Sequence, residues 1–409
     1  MLSRRCRQRN ETIIPKLLND HGALLHGDTA VVDLSTAENH LLGNNLVSTI
    51  PSSLDGLSDS QLGYSEGVGG STAVRQRIAD LANDYFSPRS EVEASHVVLG
   101  AGGCFALNAL MEQICDPGDG VLIAAPYWPG LDLSLHVHND AKGIPVQIPL
   151  DVFFNTDSIA YYEEALASAV VPVRAVLICN PHNPLAKNYP RETLQATLDF
   201  CARHKLHFIS DEVYALSQHA SSTAKFVSAL SLDVEAAGAK GLVHVLYSLS
   251  KDFGFNGLRI GAFISQDNRD VCLSAALTTF CQTSSIAALV AEKAVLSKEN
   301  IEYVTGTGSR MLADAYGTVS SFLRAHQVSF VPAECAMFVF ARLCDDETPE
   351  SEAEFRKRLK THGLVLAAGT DYHLARQGWF RICYACPAEK LKEGLERLRR
   401  CIEEARTGR

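Results

Sequence analysis

Short apolar segments alternate with stretches of helical periodicity along the chain, and that alternation restricts the fold more than any other feature. Residues 96–100, 120–125, 175–179, 206–210 and 243–248 read as strands that are largely apolar on both faces. Residues 73–86, which stop at Ser87-Pro88, and residues 104–115 and 192–204 read as the helices between them. Strands apolar on both faces belong to a mostly parallel sheet covered by helices on both sides. The expectation is an α/β fold: a three-layer α-β-α domain with a mostly parallel sheet, plus a small α+β domain.

The small domain is read from the C-terminal third. Residues 329–331 and 337–342 look like strands, 351–362 a charged helix, 379–385 a strand, and Pro387 opens a last helix rich in Glu, Lys and Arg. The expected division is an N-terminal segment, 1–48, packing on the small domain; a large domain, 49–295; and the small domain, 296–409. No period of 20–50 residues points to a solenoid or propeller.

A chain of 409 residues buries enough apolar surface to fold without disulfides or structural metal. Its formal charge of −10 disfavours a nucleic-acid partner, which would need a dense basic face. The best apolar run, 165–179, is broken by Pro172 and Arg174 and falls short of the ~18–20 residues of a membrane helix, so no membrane partner is expected. The segment after Arg4 is polar, unlike a secretion signal, and the expected location is cytoplasmic, with a short mitochondrial presequence as the alternative. The 12 cysteines are scattered through apolar segments, as reduced thiols acting as small hydrophobes would be. Cys383 and Cys386 form a single Cys-x-x-Cys pair without the second pair a zinc site needs, so no metal is expected.

Chemistry concentrates where strands end. Ser248-Leu249-Ser250-Lys251 follows an apolar strand, with Arg259 eight residues beyond the lysine. A lysine among apolar residues and glycines is a candidate Schiff-base former, because partial desolvation lowers its pKa. Ser248, Ser250 and Arg259 together suit a phosphate; the alternative is a surface loop with an incidental lysine. Asp211 and Tyr214 follow the strand 206–210, and a carboxylate at that end of a parallel strand points into the ligand crevice. Otherwise Asp211 is a helix cap. Asn180-Pro181-His182-Asn183-Pro184 forces a loop able to present an amide, or is a bare turn. Gly100-Ala101-Gly102-Gly103-Cys104-Phe105 joins a strand to a helix whose first N–H groups suit a phosphate. It lacks the third glycine of a dinucleotide fingerprint and there is no Walker lysine, so the phosphate belongs to something smaller than NAD or ATP.

In order and spacing the set resembles the fold-type-I pyridoxal 5′-phosphate (PLP) enzymes, the aspartate-aminotransferase superfamily, from about residue 30 to the C-terminus. Within it the sequence is most similar to the 1-aminocyclopropane-1-carboxylate (ACC) synthase-like group, through Thr36-Ala37-Glu38-Asn39, Pro126-Tyr127-Trp128-Pro129-Gly130, Asn180-Pro181-His182-Asn183-Pro184-Leu185 and Gly378-Trp379-Phe380-Arg381-Ile382-Cys383. The resemblance implies a PLP-dependent transferase-like large domain in which Lys251 forms the Schiff base and shuttles the Cα proton. It implies that Asp211 pairs with the pyridine nitrogen, and that Tyr214 and Asn183 bind the ring oxygen while Trp128 stacks on the ring. Gly103, Cys104, Phe105, Ser248, Ser250 and Arg259 would surround the phosphate. Tyr64 would reach the phosphate of a neighbouring subunit, which implies a homodimer with shared sites. Arg381 would grip the substrate α-carboxylate, with Asn183 beside it and Ala37 and Glu38 lining the substrate side.

The departures concern the substrate more than the cofactor. Phe105 stands where the family usually has a hydroxyl, Ala186 where it has Gly after Asn-Pro-Leu, and Ala368 where it has Pro. Glu334-Cys335-Ala336-Met337 stands where the family often has Asn-Ala-Gly. The expected substrate is an α-amino acid or its conjugate. The expected chemistry is ACC-synthase-like elimination or substitution at Cβ or Cγ, including C–S lyase activity in secondary metabolism. The alternatives are transamination to a keto acid and a catalytically silent binding module, against which the full set of site residues argues.

Overall fold

The computed structural model describes residues 2–14, 31–55, 57–64 and 67–407. In chain order its strands are β1 (Val32–Asp33), β2 (Val97–Gly100), β3 (Gly120–Ala125), β4 (Lys142–Gln147), β5 (Val173–Cys179), β6 (His207–Asp211), β7 (Val243–Ser248), β8 (Gly261–Ile264), β9 (Ser329–Val331), β10 (Phe338–Arg342), β11 (Leu364–Val365), β12 (Ala367–Ala368) and β13 (Trp379–Cys383). Strands β2-β8-β7-β6-β5-β3-β4 form one seven-stranded sheet, antiparallel only where β8 meets β2 and β7. Along β3, Leu122 and Ala124 enter one apolar core and Val121, Ile123 and Ala125 another, so alternate side chains serve opposite faces. Both cores are capped by helices, the three-layer arrangement expected of buried parallel strands.

The helix Thr72–Tyr85 shows how the covering forms. The Ser71 side chain accepts from Val74 N–H at the helix start, and Val74, Ile78, Leu81 and Ala82 repeat at helical spacing to face the sheet. Two strands of the sheet carry no clear sequence signal. β4 lies at the edge and contains Pro145, tolerated there because an edge strand has one unpaired side. β8 is four residues long and starts with glycine.

A second, four-stranded sheet, β12-β13-β10-β9, is built from the C-terminal third, with its own apolar core. The helix Ala388–Thr407 lays Leu391, Leu395, Leu398 and Ile402 on that core, each stabilising by ~1.5–3 kcal/mol. The N-terminal segment joins this layer: β1 pairs in parallel with β11, and Cys383 N–H donates to Leu34 O at 2.8 Å. Leu42 and Leu46, slightly further on, pack instead in the core of the large sheet. Residues 32–46 therefore bridge both layers beside the carboxyl ends of β6 and β7. No helix among the described residues is long and apolar enough to cross a membrane.

Candidate active site

Asp211 ends β6, Ser248 ends the adjacent β7, and the loops after β2 and β5 open on the same sheet edge, the usual ligand crevice of an open α/β sheet. The chain turns after Asp211 without starting a helix, so this carboxylate caps no helix. Its Oδ1 is buried with no hydrogen-bond partner, and burial raises its pKa to about 6 despite the Val213 backbone N–H and the Lys251 charge. A buried carboxylate oxygen without a donor is costly unless a cation or N–H faces it. Lys251 lies near enough to be felt by Asp211, and Lys251 Nζ donates to Ala37 O at 2.7 Å. Burial lowers the amine's pKa, the Arg381 guanidinium lowers it further, and Cys383, Glu38 and Cys104 pull it back. A desolvated amine with lowered pKa is suited to nucleophilic and proton-transfer work.

Beside this pair lies a cradle of donors suited to an anion. The helix Gly103–Ile114 begins after Gly102 without a side-chain cap, which leaves first-turn N–H groups for an external acceptor. Gly102 has φ +91°, and a Cβ there would overlap the Arg259 guanidinium that crosses it. Arg259 is itself left-handed, at φ +56°, and is held by Asn256 O at 2.8 Å and Ala101 O at 3.0 Å. Ser248 Oγ lies 2.9 Å from Ser250 Oγ, and a Cβ on Gly103 would come within 3.4 Å of Ser248 Cβ, so both hydroxyls border the helix start. Burial and Asp211 raise the Cys104 thiol, while Arg259 and Lys251 lower it. The Phe105 ring packs edge-on against His138 at 5.2 Å, leaving only its backbone N–H for the cradle.

The third group surrounds Arg381, on β13. Its Nη1 donates to Asn183 Oδ1 at 2.8 Å, its Nη2 to Ser35 O, and its buried Nε has no partner. The guanidinium lies over the rings of Phe338, from β10, at 5.0 Å and Tyr372, from the short helix Gly369–Tyr372, at 5.2 Å. Tyr214 is buried with its ring edge-on to Phe338 at 5.5 Å. Glu38 accepts from Asn256 Nδ2 at 2.9 Å and pairs with His40 at 3.0 Å. Trp128 is 37% exposed, so it is no core tryptophan, and its ring covers Gly130, where a Cβ would overlap it.

The structure thus brings together Lys251, Asp211, Cys104, Ser248, Ser250, Arg259 and Gly103 around one edge, and Arg381, Asn183, Tyr214, Ala37 and Glu38 beside it. Tyr64 is set apart, 86% exposed. Ala186 and Ala336 both adopt left-handed backbone, at φ +51° and +60°, where glycine is the ordinary choice. The two loops are joined by Glu334 N–H to Ala186 O at 2.8 Å. Sequence reasoning missed Tyr372, Phe338, Ser35 and Asn256, of which only Asn256, inside the lysine motif, carried any local signal.

The sequence matches the family described as aminotransferase class I and II over residues 29–398. It is 59% identical to a probable aminotransferase, tcpI, of Claviceps purpurea, across 99% of this chain and 96% of that one. It is 40% identical to the probable aminotransferase sirI of Leptosphaeria maculans, across 99% of each. Rice (Oryza sativa subsp. indica) 1-aminocyclopropane-1-carboxylate synthase 1 is 30% identical across 83% of this chain and 72% of its own. An aspartate aminotransferase mutant of Thermus thermophilus superposes with a TM-score of 0.81 at 21% identity, covering 98% of this chain and 99% of that one, a likeness of fold.

Proposed function

The chain belongs to the class I and II aminotransferase family, whose fold-type-I enzymes use pyridoxal 5′-phosphate, and from that premise we propose that Lys251 removes the Cα proton of an α-amino acid held by Arg381. The observation that carries the reading is the orphaned Asp211 Oδ1 beside a desolvated lysine. A protonated pyridine nitrogen fits that oxygen, the cradle of Gly103, Ser248, Ser250 and Arg259 fits the phosphate, and the half-exposed Trp128 would stack on the ring. When bound, the cofactor supplies an electron sink for the pair left on Cα.

Each side chain then has a task. Asp211 would hold a proton at the pyridine nitrogen. Tyr214 and the amide of Asn183 would bind the ring oxygen, and Asn183 also steadies Arg381. Arg381 orients the α-carboxylate with its planar fork. Lys251, with its lowered pKa, has neutral amine available to accept the Cα proton and return it elsewhere, a step worth about 10²–10⁴-fold.

For the fate of that carbanion we favour elimination or substitution at Cβ or Cγ. Glu38 places a carboxylate on the substrate side and repels the second carboxylate of a dicarboxylic keto-acid acceptor. Transamination is the second reading, favoured by the relatives tcpI and sirI, both described as probable aminotransferases. A mass-spectrometric screen of amino acids, cysteine conjugates and S-adenosylmethionine, with and without a keto acid, separates the two. Product formed without keto acid supports lyase or substitution chemistry; product that requires it overturns that reading in favour of transamination.

The same reading makes the enzyme a cytoplasmic homodimer, with a large domain 49–295 and a small domain 296–409 that residues 32–41 of the N-terminal segment join, whereas Leu42 and Leu46 pack on the large sheet and residues 15–30 lie outside the described residues. Support for the dimer comes from the exposure of Tyr64, Leu62, Leu277 and Phe280, between 62% and 86%. Mixing two inactive variants, Tyr64→Ala and Lys251→Ala, restores partial activity if Tyr64 serves the neighbouring site. A verified heterodimer without activity removes that role.

A further inference from the structure

Beyond the residues that meet cofactor or substrate, one cluster of titratable side chains ties the large sheet to the carboxylate clamp. Asp132 lies in the short helix Gly130–Ser134 and His373 in the turn before β13. His373 Nε2 hydrogen-bonds Asp132 Oδ2, and Tyr127 OH donates to Asp132 Oδ1 at 2.7 Å. The His373 and Tyr127 rings stack at 4.4 Å. Gly143, on β4, leaves room for this arrangement, since a Cβ there would overlap Asp132 Oδ1.

Two further bonds fasten the same turn. Tyr127 N–H donates to Tyr372 O at 2.9 Å, and Gln147 Nε2 donates to His373 O at 3.0 Å. Tyr372 is almost fully buried, and its ring is one of the two that lie against the Arg381 guanidinium. His373 takes φ +63°, so the backbone reverses at that residue, one position after Tyr372. The Tyr372 backbone is therefore tied from outside the four-stranded layer, by Tyr127 N–H and by Asp132 through His373. Tyr127 also precedes Trp128, so the network reaches the loop of the proposed cofactor stack.

We propose that Asp132 and His373 are positioning residues for substrate-carboxylate binding: their bond and the Tyr127 stack hold Tyr372 against Arg381, fixing the guanidinium plane in the orientation a carboxylate needs. The proposal rests on Arg381 being the carboxylate site. A bidentate pair depends on that plane, so loosening the ring behind it weakens carboxylate capture and leaves the cofactor in place.

The test uses holoenzyme and two amine reagents that attack the lysine-bound cofactor: aminooxyacetate, which has a carboxylate, and O-methylhydroxylamine, which has none. Second-order rates are read from loss of the visible absorbance. His373→Asn keeps a residue tolerant of left-handed backbone, and Asp132→Asn keeps the acceptor for Tyr127. Each slows aminooxyacetate about 10-fold and leaves O-methylhydroxylamine unchanged. In an Arg381→Lys background the His373→Asn change adds less than about 2-fold, because both act on one interaction. Equal slowing of both reagents, or a full His373 effect retained in the Arg381→Lys background, overturns the proposal. An unchanged aminooxyacetate rate in both Asn variants, with Arg381→Lys slowed, removes this proposal alone. An unchanged rate in Arg381→Lys removes the carboxylate reading and the proposal with it.

Discussion

Lys251 Nζ lies 2.7 Å from the carbonyl oxygen of Ala37, so the amine of the loop after β7 is held by the N-terminal segment that β1 anchors to the C-terminal layer. Gly254 strengthens the contact: at φ +71° its backbone runs against Asn39 O, where a Cβ would overlap. The loop and the segment can lie this close because the residue there has no side chain. Lys251→Ala is expected to abolish the visible absorbance of the lysine-bound cofactor and to lower turnover about 10²–10⁴-fold. Absorbance scans of the two purified proteins decide it, and an unchanged spectrum in the variant would refute the lysine's role.

Asp211 is a different kind of prediction, because its environment alone raises its pKa to about 6. Burial favours the neutral acid, and a cationic ring nitrogen opposite Oδ1 reverses that preference. Asp211→Asn keeps the shape and removes the charge. Cofactor is expected to remain bound while kcat falls about 10²–10³-fold, the scale of losing one preorganised electrostatic partner. A variant with wild-type kcat would sink the pairing.

How much of this was legible in the sequence follows from where the residues sit. Lys251, Asp211, Asn183 and Gly103 each come directly or within a few residues after an apolar strand, so strand pattern and chemistry coincide in one stretch of chain. The strand β4 was not legible because Pro145 breaks the pattern that an edge position tolerates. Tyr372 and Phe338 meet Arg381 only through the pairing of β10 with β13 and the turn that precedes it, contacts with no local signature. The Asp132–His373 bond spans 241 positions and is a product of packing alone.

Glu212 predicts a stability profile. It is fully buried, accepts from Ser210, Ser228 and Ala229, and burial raises its pKa from 4.5 to about 8, against those hydrogen bonds and with a small push from Asp211. The folded protein therefore binds this proton more tightly than the unfolded chain. Its stabilising contribution is complete below about pH 4.5 and is lost as pH rises through about 8. Glu212→Gln cannot titrate. The Tm of the wild type is expected to fall relative to that of the variant by about 2 °C or more between about pH 5 and pH 9. Parallel Tm curves for the two proteins across that range would contradict the raised pKa.

Gly102 offers a test of the phosphate cradle that leaves every charged group in the sequence. A Cβ at φ +91° would overlap the Arg259 guanidinium, which is the flexible end of a side chain and has room to swing outward. Gly102→Ala therefore has two separable consequences. The left-handed backbone costs about 1–2 kcal/mol of stability, read as a lower Tm. Displacement of Arg259 removes its fork from the helix start, so the dissociation constant for pyridoxal 5′-phosphate is expected to rise about 10-fold or more. Arg259→Ala should weaken binding similarly, and adding Gly102→Ala to it should change affinity little further, since both remove one interaction. If Gly102→Ala lowered the Tm yet bound the cofactor as the wild type does, the strain would be real and Arg259 would have no part in holding the phosphate.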